Sequence, residues 1–388
     1  MPPRPTSPAG FALRTAVFYA AILGVGGIQM PFFPLWLKDK GLDAQTIGLV
    51  LSMPMVVRVF IVPVVTRQAD RRDSLRALIL ASCCATVAGY ALVGLANGPV
   101  TILIAYTLAA LAYTPILPMT ETYALRGLAA IGRAYGPVRL WGSLTFILGG
   151  FVAGFAIDRI TTRDLIWLIV AAYALSAVAA MALAELPPVP QRAPEQTPRK
   201  GLLRDGVFLA VLASAGFTQA SHAIFYSFSA VAWSAAGLDG KAIAALWGLG
   251  VIAEILLFAL SGRLPRSLGP LALLLIGAAG GVVRWTAMAF DPPGAALPWL
   301  QLLHGLSFGA THLGALGFVA RHAPHRQSAT AQGYLAIALG LMMAVMTSVS
   351  GLLYAAFGTF AYAAMALAAA AGGACALIAQ RLRRDVAV

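Results

Sequence analysis

The chain has 388 residues, 60% of them hydrophobic and only 11% charged, yet its formal net charge is +13. So apolar a composition excludes a water-soluble domain of any size. The basic excess is scattered over short loops, not gathered on one face, which excludes a nucleic-acid partner.

Apolar runs of about 20 residues, enough to cross a roughly 30 Å hydrocarbon core, recur along the whole length. After a Pro-rich start, MPPRPTSPAG, without the small-residue cleavage site of a signal peptide, twelve spans are predicted. They lie near 11–34, 44–65, 75–96, 99–119, 136–157, 163–184, 206–230, 241–262, 269–290, 296–320, 329–353 and 358–380. Between the sixth and seventh comes the stretch PPVPQRAPEQTPRKG, too polar and Pro-rich to bury a core. It predicts an N-terminal six-helix half over 1–186, a linker over 187–205 and a C-terminal six-helix half over 206–388. With both termini inside, nineteen of the 27 Lys and Arg fall in inner loops and five in outer loops. Cytoplasmic loops retain positive charge, so both termini and the linker are expected in the cytoplasm, their charge facing anionic lipid. Cys83, Cys84 and Cys375 lie in apolar runs without metal-ligand spacing. No GxxxxGK[ST] motif appears, which argues against ATP drive. No cofactor and no metal is expected.

Sliding the chain on itself by 196 residues places Gly41-Leu42-Asp43 on Gly237-Leu238-Asp239 and Ile47 on Ile243. The same shift sets Arg58 on Glu254. Six spans, a linker and six related spans match the major facilitator architecture, two halves about an axis along the membrane normal. Substrate is then expected near mid-membrane between the halves, with Arg58 and Glu254 facing one cavity.

Ionisable residues at membrane depth mark substrate and proton pathways. Glu121 and Arg139 flank a short loop. They can hold polar substrate groups as a carboxylate–guanidinium pair, or form an ion pair at the cytoplasmic edge with Arg139 snorkelling. In the second half Arg284 sits mid-span, and Glu254 is the carboxylate at comparable depth. His304, Ser307 and His312 share roughly one helix face. A histidine beside Glu254 and Arg284 can take up and release a proton; its alternative role is a structural hydrogen bond between helices. Three embedded arginines (Arg58, Arg139, Arg284) against two embedded carboxylates leave one positive charge, which a bound anion would relieve. A monocarboxylate fits, held near Arg58 with its apolar body against Phe32, Phe33, Trp36, Phe146, Phe225, Tyr226 or Phe228. The alternative for each ring is packing or the lipid interface.

The segments PFFPLWLKDKGLDAQTIGL, VRLWGS, FYSFSAVAWSAAGL, LWGLGVIAEILLFALS and GVVRW resemble the phenylpropionate permease branch of the major facilitator superfamily. More distantly, Glu121 with Arg139-Leu140-Trp141-Gly142-Ser143, and Glu254 with Arg284 and His304, are similar to the sugar-binding and proton-coupling residues of lactose permease. Against that pattern, Ser307 stands where the permease has its proton-releasing carboxylate. Gln219, His222 and Gln301 stand where it has charged pairs. The resemblance implies a bacterial inner-membrane secondary transporter, a monomer, that imports a small aromatic or aliphatic carboxylate with protons. On this reading Arg58, Glu121, Arg139, Phe146, Phe32, Trp36 and Tyr226 bind substrate, and Glu254, Arg284 and His304 couple protons. The rival readings are sugar or nucleoside symport and amphiphile efflux. An enzyme is not expected, because the one polar cluster at depth lacks a nucleophile–base pair and a metal cluster.

Overall fold

The computed structural model describes residues 8–72, 75–186, 201–265, 268–323 and 327–386, which are helical apart from short connections, with no strand among them. The first helices are α1 (Pro8–Asp39), α2 (Ala44–Arg72), α3 (Leu75–Leu95), α4 (Pro99–Tyr113), α5 (Ile116–Ala130), α6 (Gly136–Ile157) and α7 (Leu165–Met181). Then come α8 (Gly206–Ala220), α9 (Ala223–Ala235), α10 (Gly240–Leu260), α11 (Pro270–Ala289), α12 (Leu297–Leu302) and α13 (Thr311–His322). The chain closes with α14 (Ser328–Phe357) and α15 (Tyr362–Val386). Of the linker expected at 187–205, residues 187–200 lie outside the described residues.

Eleven helical stretches among the described residues are long and apolar enough to cross a membrane. The last, Thr330–Arg383, has 54 residues, about 80 Å of helix at 1.5 Å per residue and thus two crossings of the hydrocarbon core. Gly358, at φ +56°, ends α14 and separates it from α15, which restores the twelve expected spans. Leu108, Leu148, Leu175, Leu256, Val283 and Leu367 are exposed. Such residues would be an aggregation hazard in water and are what a lipid-facing surface requires.

Among the described residues, three spans are interrupted. Pro115, which has no N–H to donate, stands between α4 and α5. The span of α8 and α9 breaks at Ser221-His222, and a π-helical turn, Gly305–Ala310, joins α12 to α13. Irregular backbone at membrane depth survives only where protein or a water-filled cavity satisfies it, and π-turns gather at functional sites.

The chain forms two compact units: Met1–Arg192 with Trp233–Ala245, and Ala193–Ala232 with Leu246–Val388. In the first, α1 lies along α6, and α3 packs on α4 and α7. The α1–α6 crossing is so close that a Cβ on Gly27 would overlap the Phe146 carbonyl, and one on Gly149 the Gly24 carbonyl. Phe11, Phe18, Tyr123 and Leu183 lie in the core beside this crossing. Segment Trp233–Ala245 joins this unit in part because the Gly240 N–H donates to Asp158 Oδ1 at 2.9 Å. In the second unit α15 packs against α8 and α11, over a core that includes Phe208, Leu274, Phe318 and Leu335.

The sequence repeat has a matching local structure. Gly41 and Gly237 take φ +84° and +90°, the left-handed conformation that ends a helix without Cβ strain. The next N–H in each copy reaches back five residues, Leu42 to the Leu37 carbonyl and Leu238 to the Trp233 carbonyl. Asp43 then caps α2 by accepting from the Thr46 N–H at 2.7 Å, and Asp239 caps α10 through the Ala242 N–H at 2.8 Å.

Candidate functional site

In the first unit, α2, α5 and α6 carry Arg58, Glu121 and Arg139. Glu121 is half-buried and feels the positive charges of Arg139 and Arg58. The Arg139 guanidinium lies over the Tyr19 ring, 5.6 Å from its centroid, and the Tyr19 hydroxyl is 3.4 Å from that of Tyr135. Arg58 is exposed. Its charge reaches Glu121, which gives it a carboxylate counterpart within its own half. Position along a span gives depth, but not the face on which a side chain emerges.

The proposed aromatic wall divides in the same way. Phe32 and Trp36 are fully enclosed, and the Trp36 N–H donates to the Arg163 carbonyl at 3.1 Å, so both serve the packing of this end of α1. Phe33, Phe225 and Phe228 are also buried, whereas Phe146 and Tyr226 keep partial exposure. The sequence reading missed a hydrogen-bonded group beside Phe33. Gln29 donates to the Tyr106 hydroxyl at 3.3 Å and accepts from Tyr173 at 2.8 Å, while the Tyr106 and Tyr113 hydroxyls are 3.3 Å apart. These residues come from α1, α4 and α7, and no local spacing connects them.

The second unit concentrates its polar chemistry on one guanidinium. Arg284, on α11, is fully buried. It donates to His304 Nδ1 at 3.0 Å and to Gln301 Oε1 at 2.5 Å, and makes a longer contact of 3.5 Å to Ser307 Oγ. Its cationic face stacks on Trp285 and Phe225, at 4.4 and 4.6 Å from their ring centroids. His304 Nε2 lies 3.8 Å from Glu254 Oε2, an ion-pair distance, not a hydrogen bond. His222 sits at the α8–α9 break, its Nε2 3.0 Å from Ser307 Oγ and its Nδ1 3.1 Å from the Gln219 carbonyl. Gln219 in turn donates to the Phe308 carbonyl at 3.2 Å. Glu254, Arg284 and His304 are therefore brought together, as expected, while His312 packs away on Phe258 and Phe308. Gln301 and His222, which the sequence offered only as replacements for charged residues, complete the cluster. The helix break and the π-turn that aim His222 and Ser307 leave no mark in hydropathy.

Residues 13–364 match the model of the MFS_1 like family. The chain belongs to this family. It is 34% identical over 360 residues to an Escherichia coli (strain K12) protein named "Probable 3-phenylpropionic acid transporter", covering 88% of this chain and 91% of that one. It is 29% identical over 355 residues to the maltose permease of Geobacillus stearothermophilus, covering 89% of each. Among solved structures, the nucleoside transporter NupG superposes with a TM-score of 0.78 at 16% identity, over 96% of this chain and 98% of that one. A bacterial homolog of the human lysosomal transporter Spinster, inward-facing and unoccupied, gives 0.74 at 12% identity over 98% of each. At these identities the structures show the fold alone, the major facilitator fold. The MFS_1 like protein is thus a multi-pass membrane transporter of a small molecule and not an enzyme.

Proposed function

We infer that this MFS_1 like protein is a proton symporter that imports a small aromatic or aliphatic carboxylate across a bacterial inner membrane, as a monomer with cytoplasmic termini. The observation that carries the reading is Arg284: fully buried, with neutral groups as the hydrogen-bond partners the structure gives it. A buried cation without a carboxylate in direct contact is costly, and an anionic cargo relieves that cost. The name of the Escherichia coli relative supports the same substrate class. Arg58, Glu121 and Arg139 supply charged contacts to the substrate, with Phe146 and Tyr226 against its apolar body. Glu254, His304 and Arg284 form the chain through which proton and substrate communicate.

The test is uptake of 3-phenylpropionate and of its neutral amide by wild type and Arg58→Gln. The variant should lose far more affinity for the acid than for the amide; equal losses would make Arg58 structural. A second reading, a sugar or nucleoside as cargo, is favoured by the uncharged Gln29–Tyr106–Tyr113–Tyr173 group, which suits hydroxyl-rich ligands. Competition of maltose and uridine against labelled 3-phenylpropionate separates the two.

A further inference from the structure

Hydrogen-bond accounting fixes where the protons lie around Arg284. A guanidinium has donors only, so His304 Nδ1, which receives the Arg284 N–H at 3.0 Å, must be an unprotonated acceptor. Neutral His304 then carries its hydrogen on Nε2, toward Glu254. For His222 the logic runs the other way. Its Nδ1 faces a backbone carbonyl, that of Gln219, which can only accept. Nδ1 therefore bears the hydrogen, and Nε2 accepts from the Ser307 hydroxyl at 3.0 Å. The two imidazoles sit in opposite tautomers, 5.3 Å apart between ring centroids.

This difference decides which ring has room for a proton. Protonating His304 at Nδ1 would expel its Arg284 bond and bring two donors face to face. Protonating His222 at Nε2 requires only that a hydroxyl reverse, because Ser307 Oγ accepts as readily as it donates. Reversal turns the Ser307 hydrogen away from His222. Gln219 Oε1 is buried and without a hydrogen-bond partner among the described residues, and the amide nitrogen of the same side chain already reaches Phe308, next to Ser307. Ser307 Oγ has two acceptor lone pairs, so it can take the His222 hydrogen while keeping the 3.5 Å contact from Arg284.

The ionisable groups facing His222 come from every side of the cluster. Arg284 approaches from α11, His304 from the turn before the π-helix with Glu254 of α10 behind it, and Tyr226 from the next turn of its own span. Tyr362 of α15 stands behind Trp285. A second positive charge on His222 raises the need for an anion, and an anion in the site favours that charge. From this arrangement we propose that His222 is a proton-accepting residue of the transport site, that Ser307 is the hydroxyl that reverses to receive the new N–H, and that the added charge beside Arg284 draws an anionic substrate. The proton arrives from the side on which substrate enters and adds to the Nε2 lone pair; no covalent bond other than that N–H forms. The proposal rests on the carboxylate reading above.

The experiment is calorimetric titration of 3-phenylpropionate into purified full-length wild type, His222→Gln and Ser307→Ala between pH 5.5 and 8, with thermal melting to show that each variant is folded. Uptake of one proton per anion strengthens wild-type binding by up to about tenfold for each unit fall in pH. Both variants are expected to flatten that slope to less than about twofold per unit. Nitrogen NMR of the ring atoms, practicable with five histidines in the chain, is expected to show His222 with hydrogen on Nδ1 when empty and on both nitrogens with 3-phenylpropionate bound. A His222→Gln protein that keeps the wild-type slope, or a His222 ring that stays neutral on binding, overturns the proposal. A wild type that binds the carboxylate with no pH slope overturns it too and leaves the carboxylate reading standing. A wild type that binds no carboxylate at any pH overturns both.

Discussion

Arg284 shows how much a single residue type can announce. A charged side chain within GVVRW, too deep to reach water, needed partners, and Glu254 and His304 were identifiable because few other polar residues share that depth. The geometry adds what spacing leaves out: Arg284 donates to His304, and His304 lies at ion-pair distance from Glu254. Lysine is a point charge and cannot reproduce two forked hydrogen bonds together with stacking on Trp285 and Phe225. Charge-assisted hydrogen bonds contribute about 1.5–3 kcal/mol each, so Arg284→Lys should weaken substrate binding by at least about tenfold, read as KM for uptake. Glu254→Gln removes the carboxylate that faces His304. It should abolish accumulation against a gradient while downhill exchange persists; continued accumulation would move the coupling role to His222 or Glu121. For Arg58 the length of the span gives depth but never the helix face.

The elements were legible wherever a local pattern encodes them. Gly-Leu-Asp at 41–43 and 237–239 was seen as a repeat of letters, and it is a repeat of helix stop and helix start. Helix breaks without a Gly or Pro, such as Ser221-His222, were not legible, since they depend on tertiary contacts. At the start of α8, Asp205 accepts from the Val207 and Phe208 N–H groups and from His322 Nε2 at 2.5 Å. Burial works to raise its carboxyl, but the His322 bond and the backbone donors outweigh it and hold the group below the usual carboxylate range. A depressed carboxyl stabilises above its unfolded value, about 3.9, and that contribution is lost as pH falls through the lower folded value. Asp205→Ala should therefore cost about 1 kcal/mol near neutral pH, with the gap to wild type closing below about pH 4. Thermal melts at several pH values check both the size and the sign. At the α1–α6 crossing, Gly27→Ala forces backbone apart and should cost about 1–3 kcal/mol, visible as a lower Tm with unchanged helical content.

At the scale of the whole molecule, hydropathy alone yielded the twelve passes, because backbone groups in hydrocarbon can be satisfied only by helices or closed barrels. The positive-inside bias makes a further commitment: protease added outside intact cells should leave the linker 187–205 uncut, and cleavage from outside would reverse the topology. Sequence offers at most a charge class for the substrate, since the sign of a cluster survives in sequence while its shape is set by which helix faces meet. Proton-coupled carboxylate import is tested most directly in vesicles containing the purified protein, with an imposed inside-alkaline pH gradient, labelled 3-phenylpropionate outside and a pH-sensitive dye within. Transient accumulation above the outside concentration, with interior acidification that depends on the substrate, is the expected result. Equilibration without proton movement, or flux of uridine or maltose but not of 3-phenylpropionate, would contradict it.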